Sequence, residues 1–344
     1  MNLLWMALWI AMLLGGVYAM QWGATRAVEV LDGLRGRLGL HAAAGGAIMG
    51  LATAMPEISV NIASVAFKWP DLGLGAALGS NVPALPFAFA LSWAAVRFSG
   101  RREPKPAASG EVIPETGVDP PPGHIRPRIA PDAARVQAWP YLLTVLLLAA
   151  LTVPPAWEGL QPIDGAILAA AWGLYFVRAV LQKRNRDQEP PKSDGTWRNL
   201  LLGGLAIAVG ALLSVTGAQR FGGELGVPDL VSGLFFIGLL CALPESLAAW
   251  KLGREGESTF AVSGAMGDGV VSLTLALIAP AIVSAGVGDR PLYLLNLGFL
   301  IAVLSLFILL NNRRWGEKMG AAKVAVFAGG YLVYLGLTAF ILLR

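Results

Sequence analysis

Apolar residues in this chain come in long unbroken runs, without the short alternations or three-and-four spacings that mark half-buried elements of a soluble fold. A helix needs roughly 20 residues to cross a bilayer. On that scale the runs predict ten helices, at about 2–20, 41–67, 72–98, 139–156, 163–181, 199–217, 229–250, 259–286, 291–312 and 320–343. The first run lacks the basic flank of a signal peptide and reads as a membrane helix. Residues 100–137, rich in Pro, Arg and Glu, read as a long solvent-exposed loop, and 182–198 as a polar linker with five spans on each side.

An odd number of spans per half reverses the orientation of the second half, the inverted-topology arrangement of many secondary transporters. The charges agree with that count. Loops 21–40, 97–138, 178–198, 251–258 and 313–323 carry 22 of the 26 Lys and Arg residues, and alternation puts all of these loops on one face. The opposite face holds only Lys68, Arg220, Arg290 and Arg344. By the positive-inside rule the basic face is cytoplasmic, so both termini lie outside, in an inner or plasma membrane. The expected fold is an all-α membrane protein with two inverted five-helix repeats, 1–181 and 199–344, joined by the cytoplasmic linker 182–198.

Composition narrows the class. With 56% hydrophobic and 14% charged residues and a mean hydropathy of +0.62, the chain lies far from soluble domains, which are about 25% charged. The basic pI of 9.3 does not indicate nucleic-acid binding, because the Lys and Arg residues flank membrane spans and are not interleaved with aromatics. Trp69, Trp139 and Trp157 sit where interfacial anchors are expected, and His124 falls in the long loop. A single cysteine, Cys241, excludes a disulfide framework.

Candidate chemistry lies in a segment written twice. Ala-Thr-Ala-Met-Pro-Glu ends at Glu57, and Leu-Cys-Ala-Leu-Pro-Glu ends at Glu245, close to half the chain further on. A small-residue cluster follows each at the same distance, Gly79-Ser80-Asn81 after the first and Gly267-Asp268-Gly269 after the second. Glu57, Glu245 and Asp268 are the three acids at membrane depth, with no Lys, Arg or His at comparable depth to pair with them. One such acid could serve a structural ion pair or a packing hydrogen bond. Three without a basic partner repel one another and must be neutralised by protons or a cation. The prolines break or kink helices 2 and 7, freeing the carbonyls of Ala52 and Leu240 as hard oxygen ligands and placing each glutamate near a positive helix end. A lone proline kink is common in membrane helices, but two at matched positions point to a shared function. Asn61, one turn beyond Glu57, reads equally well as lining the same face or as an interhelical hydrogen bond.

Thr53-Ala54-Met55-Pro56-Glu57 with Gly79-Ser80-Asn81, and Cys241-Ala242-Leu243-Pro244-Glu245 with Gly267-Asp268-Gly269, resemble the two α-repeats of the cation/Ca²⁺ antiporters, which include the sodium/calcium exchangers. The resemblance implies that Glu57 and Glu245 face each other as the central cation ligands. It also makes Thr53, Ser80, Asn81, Cys241, Asp268 and Ser272 further metal-site candidates. The chain departs from the family pattern at several points: Ala54 and Ala242 replace serines, Cys241 replaces a threonine, and Ala84 and Ser272 occupy positions where the family often has Asn or Asp. Asp268 stands at the serine position, so the acid is moved about one turn, roughly 6 Å, along one helix face.

These observations predict a secondary active antiporter that exchanges a divalent cation, Ca²⁺ before others, for Na⁺ or H⁺ by alternating access. Its partners would be inorganic cations and the lipid bilayer, without a cofactor or nucleic acid. A proton-coupled exchanger of another cation, of Na⁺/H⁺ or Mg²⁺/Mn²⁺ type, is the alternative. An intramembrane enzyme finds little support, since no HExxH or G-x-S-x-G arrangement appears in the apolar runs. In a cation channel, tightly binding carboxylates would oppose rapid conduction.

Overall fold

A computed structural model describes residues 3–38, 50–98, 137–181, 197–255, 258–311 and 320–344. The long loop, with His124, and most of the linker lie outside the described residues, as does the first part of the 41–67 run. Every regular element among the described residues is helical. They are α1 (Leu3–Leu38), α2 (Met55–Ala66), α3 (Pro70–Phe98), α4 (Trp139–Thr152), α5 (Pro162–Leu181), α6 (Trp197–Leu225), α7 (Asp229–Arg254), α8 (Ser258–Ser272), α9 (Ile278–Ile282), α10 (Arg290–Leu310) and α11 (Ala321–Leu342). Six of them, α1, α3, α6, α7, α10 and α11, are long and apolar enough to cross a membrane. Lys251 and Arg254 are exposed at the end of α7, Trp139 is exposed at the start of α4 and Trp157 between α4 and α5, whereas Trp69 is half-buried.

Helix α3 is the centre of the bundle: 83% of its apolar window is buried, against 22% for α1 and for α11. It stays helical through Pro83 and Pro86, because the neighbouring helices hold it on all sides. Phe89 of α3 packs on Phe327 of α11 and Phe307 of α10, with ring centroids 4.6 and 5.9 Å apart. In lipid there is little hydrophobic drive between helices, so close backbone approach at small residues does much of the packing. The α1–α6 seam is built this way: a Cβ at Gly16 would stand 2.5 Å from the Gly210 carbonyl oxygen, and one at Gly23 2.4 Å from that of Gly203. Residue numbers rise on one helix as they fall on the other, so α1 and α6 are antiparallel.

Helices α3 and α7 run parallel and are equally tight. Gly233 lies against Leu72 and Ala76, Gly238 against Ala76 and Gly79, and Gly253 against Ser92. The Gly238–Gly79 contact has a counterpart at the offset that relates Glu57 to Glu245, where Gly50 meets Gly267. The counterpart is looser. A Cβ on Gly238 would stand 2.6 Å from the Gly79 Cα, whereas one on Gly50 would be 3.3 Å from the Gly267 oxygen.

The two Pro-Glu segments do not bend alike. In the first, the helix is interrupted at Ala54 and α2 restarts at Met55 with Pro56 in its first turn, as expected for a residue that has no N–H to contribute. In the second, Pro244 lies inside continuous helix, and the irregularity falls upstream, in a π-helical stretch over Gly233–Gly238. The expected break at Pro244 is therefore displaced. The wider turn falls where glycines press the backbone onto α3, a site at which π-bulges can be accommodated by neighbouring packing. The 259–286 run is also split, between α8 and α9. There Thr274 donates back to the Val270 carbonyl at 2.6 Å, and Pro280 cannot bond the carbonyl of Ala276.

Candidate functional site

The interruption at Ala54 brings Thr53 onto α8: its hydroxyl donates to Asp268 Oδ1 at 2.8 Å and to the Gly50 carbonyl at 3.1 Å. Asp268 is 3% exposed and also lies within hydrogen-bonding reach of the Glu245 carboxyl on α7. Glu57, at the start of α2, is equally buried, and its Oε2 has no hydrogen-bond partner. All three acids interact electrostatically, and Cys241 lies within electrostatic reach of each. Glu245 is partly exposed. Segments 50–66, 72–96, 229–250 and 258–288 contain no Lys, Arg or His, so nothing on these helices balances the acids. Among the described residues no three His, Cys, Asp or Glu side chains converge as a closed metal cage. The acids stand instead as a contacting pair, Glu245 and Asp268, with Glu57 beside it.

The neutral candidates divide. Thr53 joins the acids directly, and Cys241 is buried among them. Ser80 is turned into its own helix, donating to the Ala77 carbonyl at 3.2 Å. Asn81 and Ser272 bond each other across α3 and α8, Nδ2 to Oγ, at 2.7 Å. Asn61 donates to the Glu57 carbonyl at 2.9 Å, while its Oδ1 is buried toward Gly73 without a hydrogen-bond partner. Its amide nitrogen is thus bonded within its own helix, and among the described residues Asn61 makes no interhelical hydrogen bond.

One residue at this site was not anticipated. Tyr141 of α4, 1% exposed, donates its hydroxyl to Asn81 Oδ1 at 2.7 Å and lies within electrostatic reach of Asp268 and Glu245. Its local sequence, two residues after Trp139, does not single it out. The available clue was Gly269: a Cβ there would fall 2.4 Å from the Tyr141 ring, so only glycine admits the tyrosine.

The arrangement has clear likenesses among known proteins. The family model described as "Sodium/calcium exchanger protein" matches residues 8–181 and 197–340. "Inner membrane protein YrbG" of Escherichia coli (strain K12) is 24% identical over 306 residues, covering 84% of each chain. "Putative antiporter CaxA" of Alkalimonas amylolytica is 24% identical over 340 residues, covering 93% of this chain and 96% of its own. A structure of the sodium-calcium exchanger NCX_Mj superposes with a TM-score of 0.63 at 19% identity, covering 96% of this chain and 99% of that one. At that identity the superposition shows the shared fold. The family match extends over both halves and takes in both Pro-Glu segments, all three intramembrane acids and the helices that carry them. The chain is an integral membrane transporter belonging to the sodium/calcium exchanger family.

Proposed function

We propose that this transporter is a secondary active antiporter that exchanges a divalent cation, Ca²⁺ before others, for Na⁺ or H⁺ by alternating access. The observation that carries the reading is the meeting of Glu57, Glu245 and Asp268 on helical stretches (50–66, 229–250 and 258–288) that hold no basic residue, with Thr53 bonded to Asp268 at 2.8 Å. Carboxylate and hydroxyl oxygens form a hard donor set suited to Ca²⁺ or Na⁺. Acids so placed are stable only when neutralised, and a carrier obtains exchange by letting two cations satisfy them in turn. Glu57 and Glu245 are the central ligands in this reading, with Asp268 third. Thr53 and Cys241 line the site, and Ser80, Asn81 and Ser272 stand around it.

The proposed architecture is ten spans in two inverted five-helix halves, 1–181 and 199–344, joined by the cytoplasmic linker 182–198, with both termini outside. Three observations support it. The α1–α6 pair is antiparallel, as equivalent helices of inverted repeats must be. The Gly79–Gly238 contact recurs as Gly267–Gly50 at the offset of the two glutamates. Lys and Arg lie overwhelmingly on one face of the ten-span count.

Flux in proteoliposomes tests the reading. Ca²⁺ uptake is expected to follow an imposed Na⁺ or pH gradient and to vanish in Glu57→Gln and Glu245→Gln proteins that fold normally. Transport surviving both substitutions would overturn the site assignment. Uptake driven by a pH gradient alone, in Na⁺-free buffer, would assign the coupling to H⁺.

A further inference from the structure

The Asn81 side chain has only one possible orientation. One end meets the Ala77 carbonyl oxygen at 2.7 Å, and a backbone carbonyl can only accept. The nitrogen must therefore lie on that side, and the oxygen must face Tyr141. The same nitrogen donates to Ser272 Oγ at 2.7 Å, and the Tyr141 hydroxyl fills the amide oxygen at 2.7 Å. Tyr141, Asn81 and Ser272 are 1%, 3% and 0% exposed, so no water replaces these bonds. A Cβ on Gly269, the residue after Asp268, would stand 2.7 Å from Asn81 Oδ1 and from the Tyr141 hydroxyl. The amide oxygen thus lies against Gly269, next to Asp268 in the chain, and is taken up there by the Tyr141 hydroxyl.

We propose, on the basis of the antiporter reading above, that Tyr141 is a specificity-determining residue. Its hydroxyl occupies the Asn81 carbonyl oxygen, withholds it from the transported cation and leaves the site one neutral oxygen ligand short. A cation demanding six ligands in tight geometry tolerates that shortage. Ca²⁺ and Sr²⁺, which take six to eight, gain from each added oxygen. The Tyr141 ring fills the space that Gly269 leaves, so the residue acts through its hydroxyl and not through its bulk.

The test is competition between cations in proteoliposomes holding the full-length protein. Tyr141→Phe keeps the ring, removes the donor and frees Asn81 Oδ1. The expected result is a roughly tenfold rise in the preference for Ca²⁺ over Mn²⁺, with Sr²⁺ gaining alongside Ca²⁺. A second variant, Asn81→Ser in the presence of Tyr141, is expected to lower transport of both cations together and leave their ratio within about twofold of wild type. The double variant Tyr141→Phe/Asn81→Ser is expected to lose the gained preference. An unchanged Ca²⁺/Mn²⁺ ratio in a transporting Tyr141→Phe protein would overturn the proposal. So would a shifted ratio in Asn81→Ser, which decides the matter even where Tyr141→Phe fails to fold. Either result leaves the antiporter reading intact, since that reading rests on the Glu57→Gln and Glu245→Gln experiment.

Discussion

Two glycines separated by the same offset as Glu57 and Glu245 are under unequal pressure, and that inequality can be measured. They are Gly50 and Gly238. A methyl group on Gly238 would enter to 2.6 Å of the Gly79 Cα and 2.7 Å of the Ala76 oxygen, both backbone atoms that cannot rotate away. Restoring ordinary contact requires α3 and α7 to separate by about 1 Å, and overpacking on that scale costs about 1–3 kcal/mol. At Gly50 the nearest atom would be 3.3 Å away, so a shift of a few tenths of an ångström suffices. Alanine there also recovers up to about 1 kcal/mol of helix propensity. Gly238→Ala is therefore expected to lower the thermal midpoint of the purified protein by roughly 1–4 °C and to reduce Ca²⁺ uptake, because α7 carries Cys241 and Glu245. Gly50→Ala is expected to stay near wild type in both assays, as is Gly223→Ala, which meets nothing within 4 Å. Scanning fluorimetry in detergent and proteoliposome flux give the two readouts. Equal losses in Gly238→Ala and Gly50→Ala would refute the claim that these contacts differ in tightness.

Two further outcomes follow from the site. Asp268→Ser is expected to abolish exchange, and the double variant Asp268→Ser/Ser272→Asp to restore part of it, because it returns the same charge one turn along the same helix face where Asn81 already donates at 2.7 Å; flux that is no better in the double variant than in the single one would show that the acid cannot be relocated. Thr53→Val keeps the shape and removes the donor at 2.8 Å from Asp268. A hydrogen bond to a charged partner contributes about 1.5–3 kcal/mol, so a roughly tenfold or greater weakening of the apparent Ca²⁺ affinity is expected, with Thr53→Ser close to wild type; identical uptake curves for Val and Thr would remove Thr53 from the site.

Several features were readable from the chain alone because their causes are local. A run of apolar residues spans a membrane whatever its neighbours are, and an acid inside such a run stands out by its desolvation penalty alone. Glu57, Glu245 and Asp268 were legible on that ground. Thr53 was a candidate only through the resemblance of its segment to the antiporter α-repeats. Tyr141 was not, because its function depends on the absence of a side chain at Gly269, far along the chain, and on the packing of α4 against α8. Asn81 and Ser272 were both expected near the cation, but their residue types could not reveal that each would be occupied by the other. The break expected at Pro244 lies instead at Gly233–Gly238, because a proline removes one hydrogen bond in any helix while the place where the helix yields depends on what presses against it.

Taken alone, the order of residues was enough for the long apolar helices and for the duplicated Pro-Glu element with its intramembrane acids. Each of these depends on the transfer of a residue between water and lipid, a property each segment carries with it. Tertiary packing alone decided which oxygen atoms are free. Glu57 Oε2 is left without a partner, Asp268 is held by Thr53 and faces Glu245, and the Asn81 oxygen is taken up by Tyr141. The bonds from Thr53 to Asp268 and from Tyr141 to Asn81 join distant parts of the chain, so they exist only after glycine-lined helices have closed to backbone contact. Tenths of an ångström in that closure separate a ligand from a strut.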